Sequence, residues 1–148
     1  MSELMDRLKE DLKTAMRARE MEKLSTLRML TASLKNQAIE VRRELNDEDV
    51  IDVLTKEAKK RRQAADAYEE AGRAELAEKE ARELEWIQAY LPKQLTDEEV
   101  GAMIDEIIAE QGIESRRQMG QVMGAVMPRI KGRFDGGRVK DLVLARLD

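Results

Sequence analysis

A chain of 148 residues with a formal net charge of −4 is long enough for one ordinary domain or two small ones. With 39% charged, 42% hydrophobic and only 3% aromatic residues, it suits helices with wide solvated faces and argues against both a β-sandwich and disorder. Cys and His are both absent, which excludes disulfides, Cys-zinc sites, thiol nucleophiles, Ser-His triads and the Glu-x-x-His di-iron pattern.

The first helix is predicted over 3–17, where Leu4, Leu8, Leu12 and Met16 recur every four residues. A second carries Leu24, Leu27, Leu30 or Thr31, Leu34, Ala38, Val41 and Leu45 in heptad-like steps that should face partner helices. Residues 46–49, Asn-Asp-Glu-Asp, supply caps and early negative charge for a third helix reaching about Ala71. Its stripe is Val50, Val53 or Leu54, Ala58, Arg61 or Arg62, Ala65 and Tyr68. Gly72 suits a helix end, and a fourth helix carries Leu76, Leu84, Ile87 and Leu91. Four helices with short loops predict an antiparallel bundle over residues 1–92.

Pro92 stops the pattern. Thr96 and Glu99 then form a capping-box pair, with Leu95 and Val100 placed as a hydrophobic staple. The tail, 96–148, reads as three helices. The first carries Val100, Met103, Ile104, Ile107 and Ile108 and ends at Gly112. The second opens on a further pair, Ser115 and Gln118, and carries Met119, Val122, Met123, Val126 and Met127; the third carries Val139, Leu142, Val143 and Leu147. The expected fold is therefore all-α, a helical bundle followed by a small three-helix domain. No apolar run approaches the roughly 18–20 residues of a membrane span, and the charged start lacks a signal-peptide core. The expectation is a cytoplasmic protein without a membrane partner.

The tail is electrically polarised. Residues 96–114 hold seven acids and no base, whereas 115–148 hold eight bases and three acids. The two segments can pair across a helical hairpin, or the second can present an anion-binding surface. Within residues 129–134 the bases Arg129, Lys131 and Arg133 alternate with Ile130 and Phe134 at its end. An extended segment would put the cations on one side and the apolar pair on the core, whereas a helix continuing to Gly132 would make the alternation coincidental. Arg138 and Lys140 lie just beyond. Asp135 before Gly136 reads as an N-cap, Phe134 as core, and Gly120 with Gly124 as a site of close helix approach. Lys56, Lys59, Lys60, Arg61 and Arg62 form a second basic run, but four consecutive bases surround a helix rather than line one face.

Three stretches resemble the YqeY family: Leu27–Asn36, Tyr90–Leu95 and Met119–Val139. The C-terminal part of that family is similar to the tail of the B subunit of glutamine-dependent aspartyl/glutamyl-tRNA amidotransferase. Gly120, Gly124, Lys131, Gly132, Arg133, Asp135 and Gly136 match the tail motif; Phe134 departs from the small residue expected there, and Gln118 from an acid. The resemblance implies an all-helical two-domain protein whose tail holds tRNA while chemistry occurs elsewhere. A carbon–nitrogen ligase label, with glutamine as amido donor, would attach only through that relation.

The resulting expectation is a non-catalytic module, without cofactor or metal, that binds tRNA or another structured RNA. Its contacts would come from Arg129, Lys131, Arg133, Arg138 and Lys140, framed by Gly120, Gly124, Gly132, Asp135 and Gly136. The alternatives are a protein-interaction adaptor or an associated part of a carbon–nitrogen ligase with glutamine as amido donor, and the oligomeric state stays open.

Overall fold

The computed structural model describes residues 2–147. Residues 1 and 148, the outer limits of the two expected domains, lie outside the described residues, as does the charge of Asp148. Seven α-helices and one short 3₁₀ turn make up the regular structure, with no strand among the described residues. The chain divides into two compact units, Met1–Pro92 and Lys93–Asp148. Their two cores share no residue.

In the first unit, α1 (Glu3–Arg17) starts at Ser2, whose hydroxyl accepts from Met5 N at 3.1 Å and donates to the Asp47 carboxylate. Leu8 and Ala15 are buried, whereas Met16 is 48% exposed, contrary to the expected stripe. A strict step of four advances about 40° per repeat around a helix, so a four-residue stripe drifts off the core face. In α2 (Met21–Val41) the mixed steps of three and four hold Leu24, Leu27, Leu30 and Leu34 inward. The helix ends where Arg42 turns left-handed at φ 58°, and Leu45 enters the core from the loop. Asn46 and Asp49 close a reciprocal capping box on α3 (Asp47–Glu70), which buries Val50, Leu54 and Ala58.

Gly72, at φ +73°, reverses the chain into α4 (Ala74–Gln88). Here Ile87 is buried and Leu84 and Leu91 pack against the core as expected, whereas Leu76 is 39% exposed and its neighbour Ala77 is buried instead. Tyr90, just past α4, donates its hydroxyl to Asp11 at 2.5 Å and carries the Arg7 guanidinium over its ring at 4.7 Å. Burial, with the Asp11 carboxylate, pushes the Tyr90 phenol up.

In the second unit, α5 (Asp97–Gln111) opens on the expected box: Thr96 accepts from Glu99 N at 3.1 Å, and Thr96 N donates to Glu99 at 3.3 Å. Gly112, left-handed at φ 63°, ends it. The second expected box does not form. Ser115 makes no side-chain cap to the 3₁₀ turn Arg116–Gln118, and Gln118 instead accepts from Glu114 N at 2.9 Å. Helix α6 (Met119–Ile130) buries Val122, Val126 and Ile130; α7 (Gly136–Leu144) buries Val139 and Val143. Phe134 and Leu147 complete a core with Val100, Ile104 and Ile107.

Candidate nucleic-acid interface

The α6–α7 connection is built by three local devices. Val122, Val126 and Ile130 recur every four residues on the buried side, so helical bonding persists through Ile130. Gly132 then takes φ +73°, a conformation costly for side-chain-bearing residues, and Arg133 N donates to Ile130 O at 2.8 Å. Asp135 accepts from Gly137 N at 3.0 Å and caps α7, as its sequence position predicts. The segment before α5 laces this turn: Leu95 N donates to Arg133 O at 2.7 Å, and Gln94 donates to Gly132 O at 2.9 Å.

This geometry overturns the extended reading of residues 129–134. Arg129 is helical, Lys131 is the C-cap of α6, and Arg133 lies in the turn. Three different backbone settings carry the three cations, so their alternation in sequence does not place them on one side of a strand. Ile130 and Phe134 are buried, as expected. The Arg138 guanidinium lies 5.2 Å from the centre of the Phe134 ring, which is only 8% exposed and leaves no face for stacking a base.

Much of the tail's opposite charge meets internally. Arg129 pairs with Glu106 at 3.7 Å, Arg138 with Asp97 at 2.5 Å, and Arg146 with Asp105 at 2.9 Å. These three bridges tie α5 to α6, α7 and the residues beyond it. Each is largely solvated, so each adds little stability, yet each neutralises a cation of the basic segment. Arg133 is directed at a carbonyl rather than an acid, donating to Lys93 O at 3.2 Å. Arg117 and Lys140 are exposed, and among the described residues neither has a carboxylate in an ion pair. Arg117 lies outside the set singled out from sequence; its exposure was not readable from the charge count. Lys131 is exposed and engaged with a neighbour.

The glycines divide by role. A Cβ at Gly120 or Gly124 would meet nothing within 4 Å, so no helix of this unit exploits the expected close approach. A Cβ on Gly136 would lie 2.9 Å from the Met127 methyl. Gly101, which its sequence context does not distinguish, leaves the space occupied by the Arg146 guanidinium on its way to Asp105.

In the bundle, the second basic run is dispersed. Lys60 pairs with Glu57 at 3.4 Å, and Arg61 turns inward toward Glu57, Glu80 and Glu83. Among the described residues, no group of three or more carboxylates is arranged to hold a metal ion. No described helix is long and apolar enough to cross a membrane.

Residues 5–147 match the family described as Yqey-like protein. The chain belongs to the YqeY family. It is 33% identical over 133 residues to altered inheritance of mitochondria protein 41, mitochondrial, of Pyrenophora tritici-repentis, covering 88% of this chain and 72% of that protein. It is 36% identical over 106 residues to the protein of the same name from Eremothecium gossypii, covering 70% of this chain and 58% of that relative. The mitochondrial naming is a property of those relatives. The family match spans both units, so the bundle and the tail belong together as one family unit in sequence.

Proposed function

We propose that this YqeY-family chain is a non-catalytic RNA-binding module for tRNA or another structured RNA, contacting phosphates through the basic side of its tail. The observation that carries the reading is the segregation of charge: α5 supplies six of the unit's acids, while 116–140 supplies seven bases and one acid, Asp135. Because Arg129 and Arg138 are paired to α5, the cations left for such contacts are Arg117 before α6, and Arg133 and Lys140 after it, with Lys131 at the α6 C-cap. Such contacts position a backbone and read little sequence. The similarity to the tRNA-holding tail of the amidotransferase B subunit supports the same choice, and participation in that amide-transfer complex would be as an accessory. A cytoplasmic location belongs to this proposal, and fractionation distinguishes it from the mitochondrial location in the relatives' names.

Three phosphate contacts correspond to a log–log salt slope of about −2.7 on a duplex. Binding of a folded tRNA across a salt series is the test. Arg117→Ala with Lys140→Ala should flatten the slope by about 2 and weaken binding to all sequences alike. An unchanged slope and affinity would overturn the proposal. The adaptor reading draws on Met21 and Ile39, which are 65% and 66% exposed on α2. A protein retained on the full chain after RNase treatment, with no direct RNA binding, would favour it.

A further inference from the structure

The α3–α4 packing contains an ionic cluster whose charges do not balance. Arg61, 17% exposed, has Nε 3.2 Å from Glu83 and 3.9 Å from Glu80, while another of its nitrogens lies 3.6 Å from Glu57. All three carboxylates are themselves less than one-fifth exposed. From α2, Ser33 donates to Glu57 at 3.2 Å and the Met29 sulfur abuts the Arg61 guanidinium. Lys60 on α3 pairs with Glu57 from the solvent side. On α4 itself, Lys79 and Arg82 act on Glu83 only across space, and Arg82 bonds outward to Glu22 of α2. Three carboxylates thus face two nearby cations, one of them solvated.

The cluster also has an unfilled acceptor. Glu80 Oε2 is buried and has no hydrogen-bond donor, and buried Arg61 Nε lacks a properly aligned acceptor. A buried acceptor without a donor is costly. Glu80 and Glu83 are one turn apart on the same helix face and share the same guanidinium. A single proton would supply the missing donor and remove the excess negative charge.

We propose that Glu83 takes up a proton from solvent under mildly acidic conditions and donates it to the buried Glu80 Oε2, and that this contact tightens the docking of α4 on α3. The proton adds to the Glu83 carboxylate, whose new O–H donates to Glu80 Oε2, and the remaining negative charge of the pair faces Arg61. No other bond forms or breaks. Burial, together with the adjacent Glu80, holds the Glu83 carboxyl above the usual carboxylate range. A group raised in the folded state stabilises that state at low pH and loses its contribution as pH rises through the folded value. The bundle therefore gains from this pair on going from neutral pH toward the ordinary glutamate range.

The decisive experiment uses the full chain. The carboxyl carbon of Glu83 is titrated by NMR and set against the ordinary glutamate range. In parallel, urea midpoints are read at pH 7.5 and 5.0 from the fluorescence of Trp86, three residues after Glu83 on α4. The midpoint should shift upward on acidification. Glu83→Gln, which mimics the protonated form, should raise the midpoint at pH 7.5 and lose the shift, and Glu80→Gln should do likewise. Titration of Glu83 within the ordinary glutamate range, or retention of the full acid shift by both variants, would overturn the proposal. The wild-type titration decides the matter even where a variant fails to fold.

Discussion

Phe134 stands where the family resemblance leads one to expect a small residue, and its removal tests the account of the tail core. The ring is 8% exposed, packs in the cluster formed by α5, α6 and α7, and carries Arg138 on one face. Phe→Ala at such a site costs about 3–5 kcal/mol, of which the exposed cation–π contact supplies about 0.5–1. At about 0.05–0.15 kcal/mol per residue, a unit of this size has roughly 3–8 kcal/mol in total. Phe134→Ala should thus consume most of the tail's stability. The helices α5, α6 and α7 contribute 15, 12 and 9 helical residues, so far-UV circular dichroism should report an early loss of about a third of the helical signal. Trp86, the sole tryptophan, lies on α4 in the other unit and should report a separate, later transition. Phe134→Leu, which keeps much of the volume, should cost less than about 1.5 kcal/mol. A loss below about 1 kcal/mol in Phe134→Ala would refute the assignment of the ring to the core.

Three further outcomes follow from local geometry. Hydrogen bonds from Arg43 and from Asn46 N pull the Asp49 carboxyl down to about 2, and Arg82 and Ser2 likewise lower Glu22 and Asp47. Depressed carboxyls contribute stability above their unfolded values, near about 4, and lose it as pH falls through the folded ones. Asp49→Asn should therefore shrink the drop in urea midpoint between pH 4 and pH 2. Thr96→Ala removes the acceptor for Glu99 N and should cost the tail about 1 kcal/mol, read by circular dichroism. Gly120→Ala and Gly124→Ala occupy open space in α6 and should each add about 0.5–1 kcal/mol, seen as a higher Tm, whereas Gly132→Ala at φ +73° should lower it.

The proton-sharing pair and the acid-sensitive Asp49 act in separate ranges. The former adds stability between neutrality and the ordinary carboxylate range, whereas the latter withdraws it below that range. Stability measured against pH should therefore pass through a maximum on the acid side, and Glu83→Gln should flatten its neutral limb.

The helices were legible from sequence because their signals are local. Apolar steps of three and four, the cap residues at 46–49, the box at Thr96–Glu99, and the reversals at Gly72 and Gly112 each depend on a few neighbouring residues. The cap at Asp135 and the burial of Ile130 and Phe134 belong to the same class. Charge could be counted in sequence, but its destination could not. Whether Arg129 faces solvent or Glu106, and whether Arg61 lies on a basic surface or among three carboxylates, depends on which helix packs opposite. The same holds for Gly101, whose value lies in an arginine 45 positions away. Sequence alone determined most helix starts and ends and the apolar sides of α2, α3, α5 and α7, since those choices are made within one or two turns of chain, whereas Met16, Leu76 and the Ser115 box departed from it. Tertiary structure decided which charges remain available to a partner, because long side chains choose among neighbours that only packing brings within reach.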